Sequence, residues 1–250
     1  MTRRAWSIVI LMITVLCGVG AAPWIADLID PGSAAGQRPS DAQRERLAAE
    51  RLDRGDRGAY KFMAERDDGS PVRYDPCTPI HVRVNEANAP EGASRLVRSA
   101  LDELADATGL VFTDDGATDE DPQDDERRGT GDGTRPPVLI VWTTPAEHEE
   151  LKGDTAGVGG SVQSIDRDWY ETGSVLLDAP QLSDWDIDSR EGATEVKAVI
   201  LHELAHVVGL DHVDDPLELM YPRARAGVNS FGPGDLAGLS AVGSGGCREY

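Results

Sequence analysis

The sequence predicts an α+β domain, and three observations point there. Ile80, Val82 and Val84 alternate with His81 and Arg83, the two-residue period of a half-buried strand. Over residues 90–108, Leu96, Val97, Ala100, Leu101 and Leu104 share one helical stripe, which must be buried against another element. Val138-Leu139-Ile140-Val141-Trp142 is an unbroken apolar run, as in a strand covered on both faces.

Composition sets the outer bounds. The chain has 250 residues, room for one domain with a short appendage. Apolar residues make up 40% and charged residues 28%, an ordinary globular balance. Lys plus Arg number 24 against 45 Asp plus Glu, for a net charge of -21. That excludes nucleic acid and anionic membrane surfaces as partners, since both need a basic face. Three cysteines are too few for a disulfide-dense fold.

Met1-Thr2-Arg3-Arg4 precedes an apolar stretch over residues 5–26 with no charge before Asp27. A basic flank followed by such a stretch reads as an export signal or a retained membrane anchor. Either one places the rest of the chain outside the cell, secreted or held at the outer face of the membrane. Residues 27–58 are rich in Gly, Pro, Ser and charge without an apolar face, and read as a linker or stalk. A short helix over 42–52 is expected within it.

The globular part follows as residues 59–250. After the first strand and the 90–108 helix, Leu110-Val111-Phe112 forms a second short strand. Residues 114–137 carry nine carboxylates and three arginines, a composition expected to give a mobile surface insert. The 138–142 strand comes next, then a Gly-rich edge strand over 157–162 and a strand over 174–178. A helix over 194–208 and a last short one over 234–242 complete the order.

The chemistry lies in His202-Glu203-Leu204-Ala205-His206-Val207-Val208-Gly209-Leu210-Asp211-His212. His202 and His206 are four apart on a helix, so both imidazoles project from one face. That spacing brings two nitrogens to one zinc ion, with Glu203 beside the first ligand and able to reach a water. Gly209 tolerates the left-handed conformation that ends a helix, letting the chain return His212 as a third ligand. Three neutral nitrogens and an open position are the arrangement of a catalytic zinc. Three of the five histidines fall within these eleven residues.

Eight residues beyond His212 comes Met220, within Glu218-Leu219-Met220-Tyr221-Pro222. HExxHxxGxxH followed by a methionine turn resembles the metzincin clan of zinc endopeptidases. The LMYP form and its distance from the third histidine are similar to the matrixins, the matrix-metalloproteinase family. The resemblance is specific over residues 195–222, diffuse over 74–247 and does not cover 1–58.

It implies a zincin-like fold: a twisted five-stranded mixed sheet, two long helices above a cleft, and a small C-terminal subdomain with one helix. His202, His206 and His212 would hold one Zn2+ and Glu203 would be the general base. Met220 would floor the ligands, and Pro222 with its neighbours would wall the pocket for the side chain following the cut. Asp235 would brace the methionine turn or cap the last helix. The implied product is an exported zinc metalloendopeptidase, acting as a monomer on a polypeptide laid along the 157–162 edge. The alternative is a zinc-stabilised extracellular peptide-binding module without turnover, which would have no need of Glu203. The acidic net charge suggests a weak preference for basic substrates.

Several departures from the family qualify this reading. The latency motif PRCGxPD does not occur. Cys17 lies in the export segment, leaving Cys77 and Cys247 outside the cell, where disulfides persist. A bridge between them would tie the start of the first strand to the end of the last helix; the alternative makes Cys77 a zinc-blocking thiol. Only His81 and His148 are spare, without the family's surroundings, so its second, structural zinc is expected to be missing. Ala224 stands where many matrixins carry Tyr, and no hemopexin-like domain is expected after Tyr250. Asp184, Asp186, Asp188 and Glu195 have partial EF-hand spacing, but Ser189 replaces the Gly that the sharp turn requires, so an acidic loop capping the long helix is expected there, with a Ca2+ site as the alternative.

Overall fold

The computed structural model describes residues 58–124, 135–164 and 168–249. The expected export segment, the 27–57 part of the linker and the middle of the acidic insert lie outside them. Among the described residues no helix is long and apolar enough to cross a membrane.

The architecture is α+β. Five strands form one mixed sheet: β1 (Ile80–Asn85), β2 (Phe112–Ala117), β3 (Val138–Thr143), β4 (Gly157–Gln163) and β5 (Tyr170–Asp178). Their spatial order is β2-β1-β3-β5-β4. All neighbours run parallel except β4, which pairs antiparallel with β5 at the edge. The helices are α1 (Ala93–Thr108), the short α2 (Ala179–Ser183), α3 (Arg190–Val208) and α4 (Pro233–Gly243).

The unbroken apolar run of β3 is explained by its central position. Val138, Ile140 and Trp142 join the main core with α1 and α3, while Leu139 and Val141 pack with Leu151 and Leu176 on the opposite face. On α1, Val97, Ala100, Leu101 and Leu104 are buried as the stripe requires. The helix α3 starts a turn earlier than the sequence suggested, because the Ser189 hydroxyl accepts the Gly192 N–H at 2.9 Å and caps it.

Two expectations need correction. The acidic insert does not begin at 114, since residues 114–117 continue β2, paired in parallel with β1. An edge strand is made by backbone pairing, so its aspartates can face solvent without cost. Residues beyond it are tied down too: Glu120 takes a 2.6 Å hydrogen bond from Arg83 and Asp121 lies 2.8 Å from His148. The calcium quartet is not assembled either. Among the described residues, Asp184, Asp186, Asp188 and Glu195 do not form a group of converging ligand atoms. Asp186 instead sits in the left-handed region (φ 48°) and its carbonyl accepts Ser189 N–H at 2.8 Å, shaping the entry to α3.

Candidate metal centre

The centre is built on the last two turns of α3. A straight helix there presents His202 and His206 on one face, and Gly209 then breaks it at φ 116°. Two constraints fix glycine at this position. The left-handed backbone disfavours any side chain, and a Cβ would sit 3.1 Å from the Tyr170 ring and 3.2 Å from the Val72 carbonyl oxygen. The Gly209 N–H closes the helix on the Ala205 and His206 carbonyls, and the chain turns back through Leu210 and Asp211 to His212. Residues just after the linker hold that turn in place. Met63 N–H donates to the Gly209 carbonyl at 2.9 Å, Asp211 N–H to the Lys61 carbonyl at 2.7 Å, and the Lys61 ammonium pairs with the Asp211 carboxylate.

The three imidazoles meet through Nε2. The separations are 3.0 Å for His202–His212, 3.2 Å for His202–His206 and 3.1 Å for His206–His212. On the other side of two rings, Nδ1 lies 2.7 Å from a main-chain carbonyl oxygen, Leu219 for His202 and Leu210 for His206. A carbonyl only accepts, so Nδ1 carries the proton and Nε2 presents a lone pair. Burial and the neighbouring His206 push the His202 imidazole down to about 3; burial also lowers His206 and His212. All three are therefore neutral, the protonation state a metal requires. Two fixed lone pairs with the His212 Nε2 beside them suit a divalent cation, and three nitrogens on a tetrahedral ion suit zinc. The donor set fits the metal.

Glu203 lies on the adjacent face of α3, 7% exposed, under the edge strand. Burial pushes its carboxyl up to about 8, with the Gly159 backbone N–H pulling the other way. The closeness of β4 depends on missing side chains. A Cβ on Gly157 would lie 2.7 Å from Glu203 Cγ, and one on Gly159 would lie 2.2 Å from the Glu203 carbonyl oxygen. Ser161, next on that face, donates to the Val207 carbonyl at 2.7 Å and shares a 2.7 Å hydrogen bond with Tyr74. The sequence marked 157–162 only as a Gly-rich edge and gave no sign of Ser161 or Tyr74.

Further along the chain, the Met220 side chain is buried, and its carbonyl accepts the Val213 N–H at 3.1 Å. Asp235 accepts from the Leu219 N–H at 2.5 Å, the Met220 N–H at 3.3 Å and the Gly232 N–H at 2.9 Å. The brace and the cap are thus made by one carboxyl, which burial raises to about 6. Glu218 was not singled out from the sequence, yet it completes a reciprocal clasp. Its carboxylate accepts the Gly234 and Asp235 N–H groups at 2.9 and 3.0 Å, filling donors left open at the start of α4. Pro222 follows on the exposed side of the turn. Cys77 and Cys247 are joined in a disulfide with a Cα–Cα distance of 5.4 Å. His81 and His148 stand apart from the centre, paired with Asp115 and Asp121.

Comparison with known proteins agrees with this geometry. Residues 139–240 match the family model described as Matrixin. A protein of Invertebrate iridescent virus 3, named a probable matrix metalloproteinase, is 32% identical over 71 residues. That match covers 28% of this chain and 19% of the viral protein.

Proposed function

We propose that this matrixin-like chain is an exported zinc-dependent metalloendopeptidase. The observation that carries the reading is the convergence of three imidazoles through Nε2 beside the buried carboxyl of Glu203. His202, His206 and His212 hold the metal, with the Leu219 and Leu210 carbonyls fixing two of the rings. When bound, zinc supplies Lewis acidity, acidifying a water and polarising the carbonyl to be attacked.

Everything else falls to the protein. Glu203 takes the proton of the attacking water and hands it to the departing amine. Burial raises the proton affinity of this carboxyl, which strengthens it as the base for the first half of that transfer. The substrate lies extended along the free edge of β4, whose outer backbone groups pair with any peptide irrespective of side chain. Met220 floors the ligands, the Glu218–Asp235 clasp holds that floor to α4, and Pro222 walls the pocket for the side chain after the cut. Residues 1–26 support export and 27–58 a tether, so the polypeptide substrate is met outside the cell and by a monomer. Membrane contact is confined to residues 5–26 where these are retained.

The test uses the exported chain loaded with zinc and a diverse peptide library, with cleavage read by mass spectrometry. Cuts that vanish with chelator, and fall about a thousandfold in Glu203→Ala with zinc still bound, are the expected result. Peptide binding without any cut would instead identify a binding module.

A further inference from the structure

The rim beyond the methionine turn carries charge that nothing in the fold uses. Leu219 and Met220 are bonded to His202 and to the residue after His212, so the chain leaving Met220 departs from the edge of the metal centre. Its next residues are Tyr221-Pro222-Arg223-Ala224-Arg225. Arg223 and Arg225 are exposed, and among the described residues neither has a carboxylate partner. Lys61, by contrast, is compensated by Asp211.

Arg225 is also held in place. Its guanidinium carbon lies 5.2 Å from the centroid of the Tyr221 ring, a cation–π contact. Its backbone closes a small antiparallel bridge with Val228, whose N–H donates to the Arg225 carbonyl at 3.0 Å. A guanidinium fixed over a ring next to Met220 keeps its forked donors free for a partner, and that fork matches a carboxylate.

Three aspartates follow the helix on the loop that carries His212. Asp211 is engaged by Lys61, and Asp215 accepts the Leu217 N–H at 3.0 Å within its own turn, leaving Asp214 exposed. At physiological salt, charges more than about 8 Å away are largely screened, so contact charge outweighs net charge.

We propose that Arg223 and Arg225 form an anion-recognising wall, and that the substrates are peptides bearing Asp or Glu within a few residues after the bond cut. This rests on the peptidase reading and reverses the preference suggested by net charge alone.

The experiment is a competition in one tube. The zinc-loaded protein receives peptides identical except for Asp, Lys or Ser at each position following the cut. The expected result is cleavage of the acidic peptides over the basic ones by about five- to tenfold, the effect of two exposed ion pairs, shrinking towards parity at high salt. Arg223→Glu/Arg225→Glu reverses the ratio, whereas Arg223→Lys/Arg225→Lys keeps its sign. Because both products form in the same tube, any loss of active fraction cancels. Anisotropy with uncut peptides on Glu203→Ala is expected to give the same order of affinity and the same salt dependence. Equal rates, or a bias unaltered by charge reversal, overturn the wall and leave the peptidase standing. No cut in any peptide overturns the peptidase reading and the wall with it.

Discussion

The five histidines divide between two regions of the molecule, and their partners separate them more sharply than their sequence positions do. On α3 and its return loop, two rings donate Nδ1–H to main-chain carbonyls and three Nε2 atoms meet within 3.2 Å. By the sheet, His81 faces the carboxylate of Asp115, and His148 has both nitrogens occupied, by Asp121 at 2.8 Å and Gln123 at 3.2 Å. A carbonyl fixes the tautomer and leaves the other nitrogen empty for a metal. Partners on both sides leave His148 nothing to offer. The same residue type thus offers a nitrogen to a metal in one place and acts as a strut in the other, decided by what stands behind the ring.

The most decisive way to break this comparison is substitution on each side. His206→Ala should abolish zinc binding in equilibrium dialysis, whereas His148→Ala should retain one zinc per chain. Zinc at 100 times its dissociation constant should stabilise wild type and His148→Ala by about 2.7 kcal/mol, and His206→Ala not at all. Loss of zinc from His148→Ala would show that the two regions share the metal and would end the distinction.

A second contrast runs along β4, where neighbouring glycines face opposite sides. A Cβ on Gly159 would lie 2.2 Å from the Glu203 carbonyl oxygen, whereas one on Gly160 would meet nothing within 4 Å. Gly159→Ala must push α3 off the sheet, at a cost of about 2–3 kcal/mol in urea unfolding. Gly160→Ala should stay within about 0.5 kcal/mol of wild type. Equal effects at the two positions would mean that α3 does not rest on this strand.

These contrasts also mark what was legible in the sequence. The convergence of His202, His206 and His212 was readable because its geometry is local: four residues along a helix, a glycine to end it and a short return loop. The β3 run, the α1 stripe and the order of strands were readable from periodicity. What Gly157 and Gly159 are for was not, because the atoms they make room for are those of Glu203, over forty residues away and brought there only by the fold. Glu218 was invisible for a similar reason. Its role is to fill the backbone donors of Gly234 and Asp235, and a lone glutamate before Leu219 gives no sign of that. The aspartates of β2 misled in another way. Composition describes side chains, while an edge strand is held by its backbone.

The smallest expected effect sharpens the first comparison through pH. In the metal-free protein, burial holds His202 neutral down to about 3 and lowers His206 and His212 as well, while an unfolded histidine takes up its proton near 6.5. Below that value the unfolded chain binds more protons than the folded one, so stability falls as pH falls, by about 1.4 kcal/mol per pH unit for each proton. Asp235 acts in the opposite sense. Its folded value near 6 lies above the ordinary 3.8, so the folded state gains a proton first and is favoured as pH drops through 6. Glu203, raised by burial from 4.5 to about 8, acts in the same sense as Asp235, so three histidines work against two carboxyls and leave a smaller net loss. Urea midpoints of the metal-free protein should therefore fall from pH 7 to pH 5. In His202→Gln/His206→Gln, with two of the three histidines gone, Asp235 and Glu203 together outweigh what remains and the fall should disappear. A decline of equal steepness in that variant would place the acid sensitivity outside the triad, and the contrast between the two sets of histidines would lose its electrostatic half.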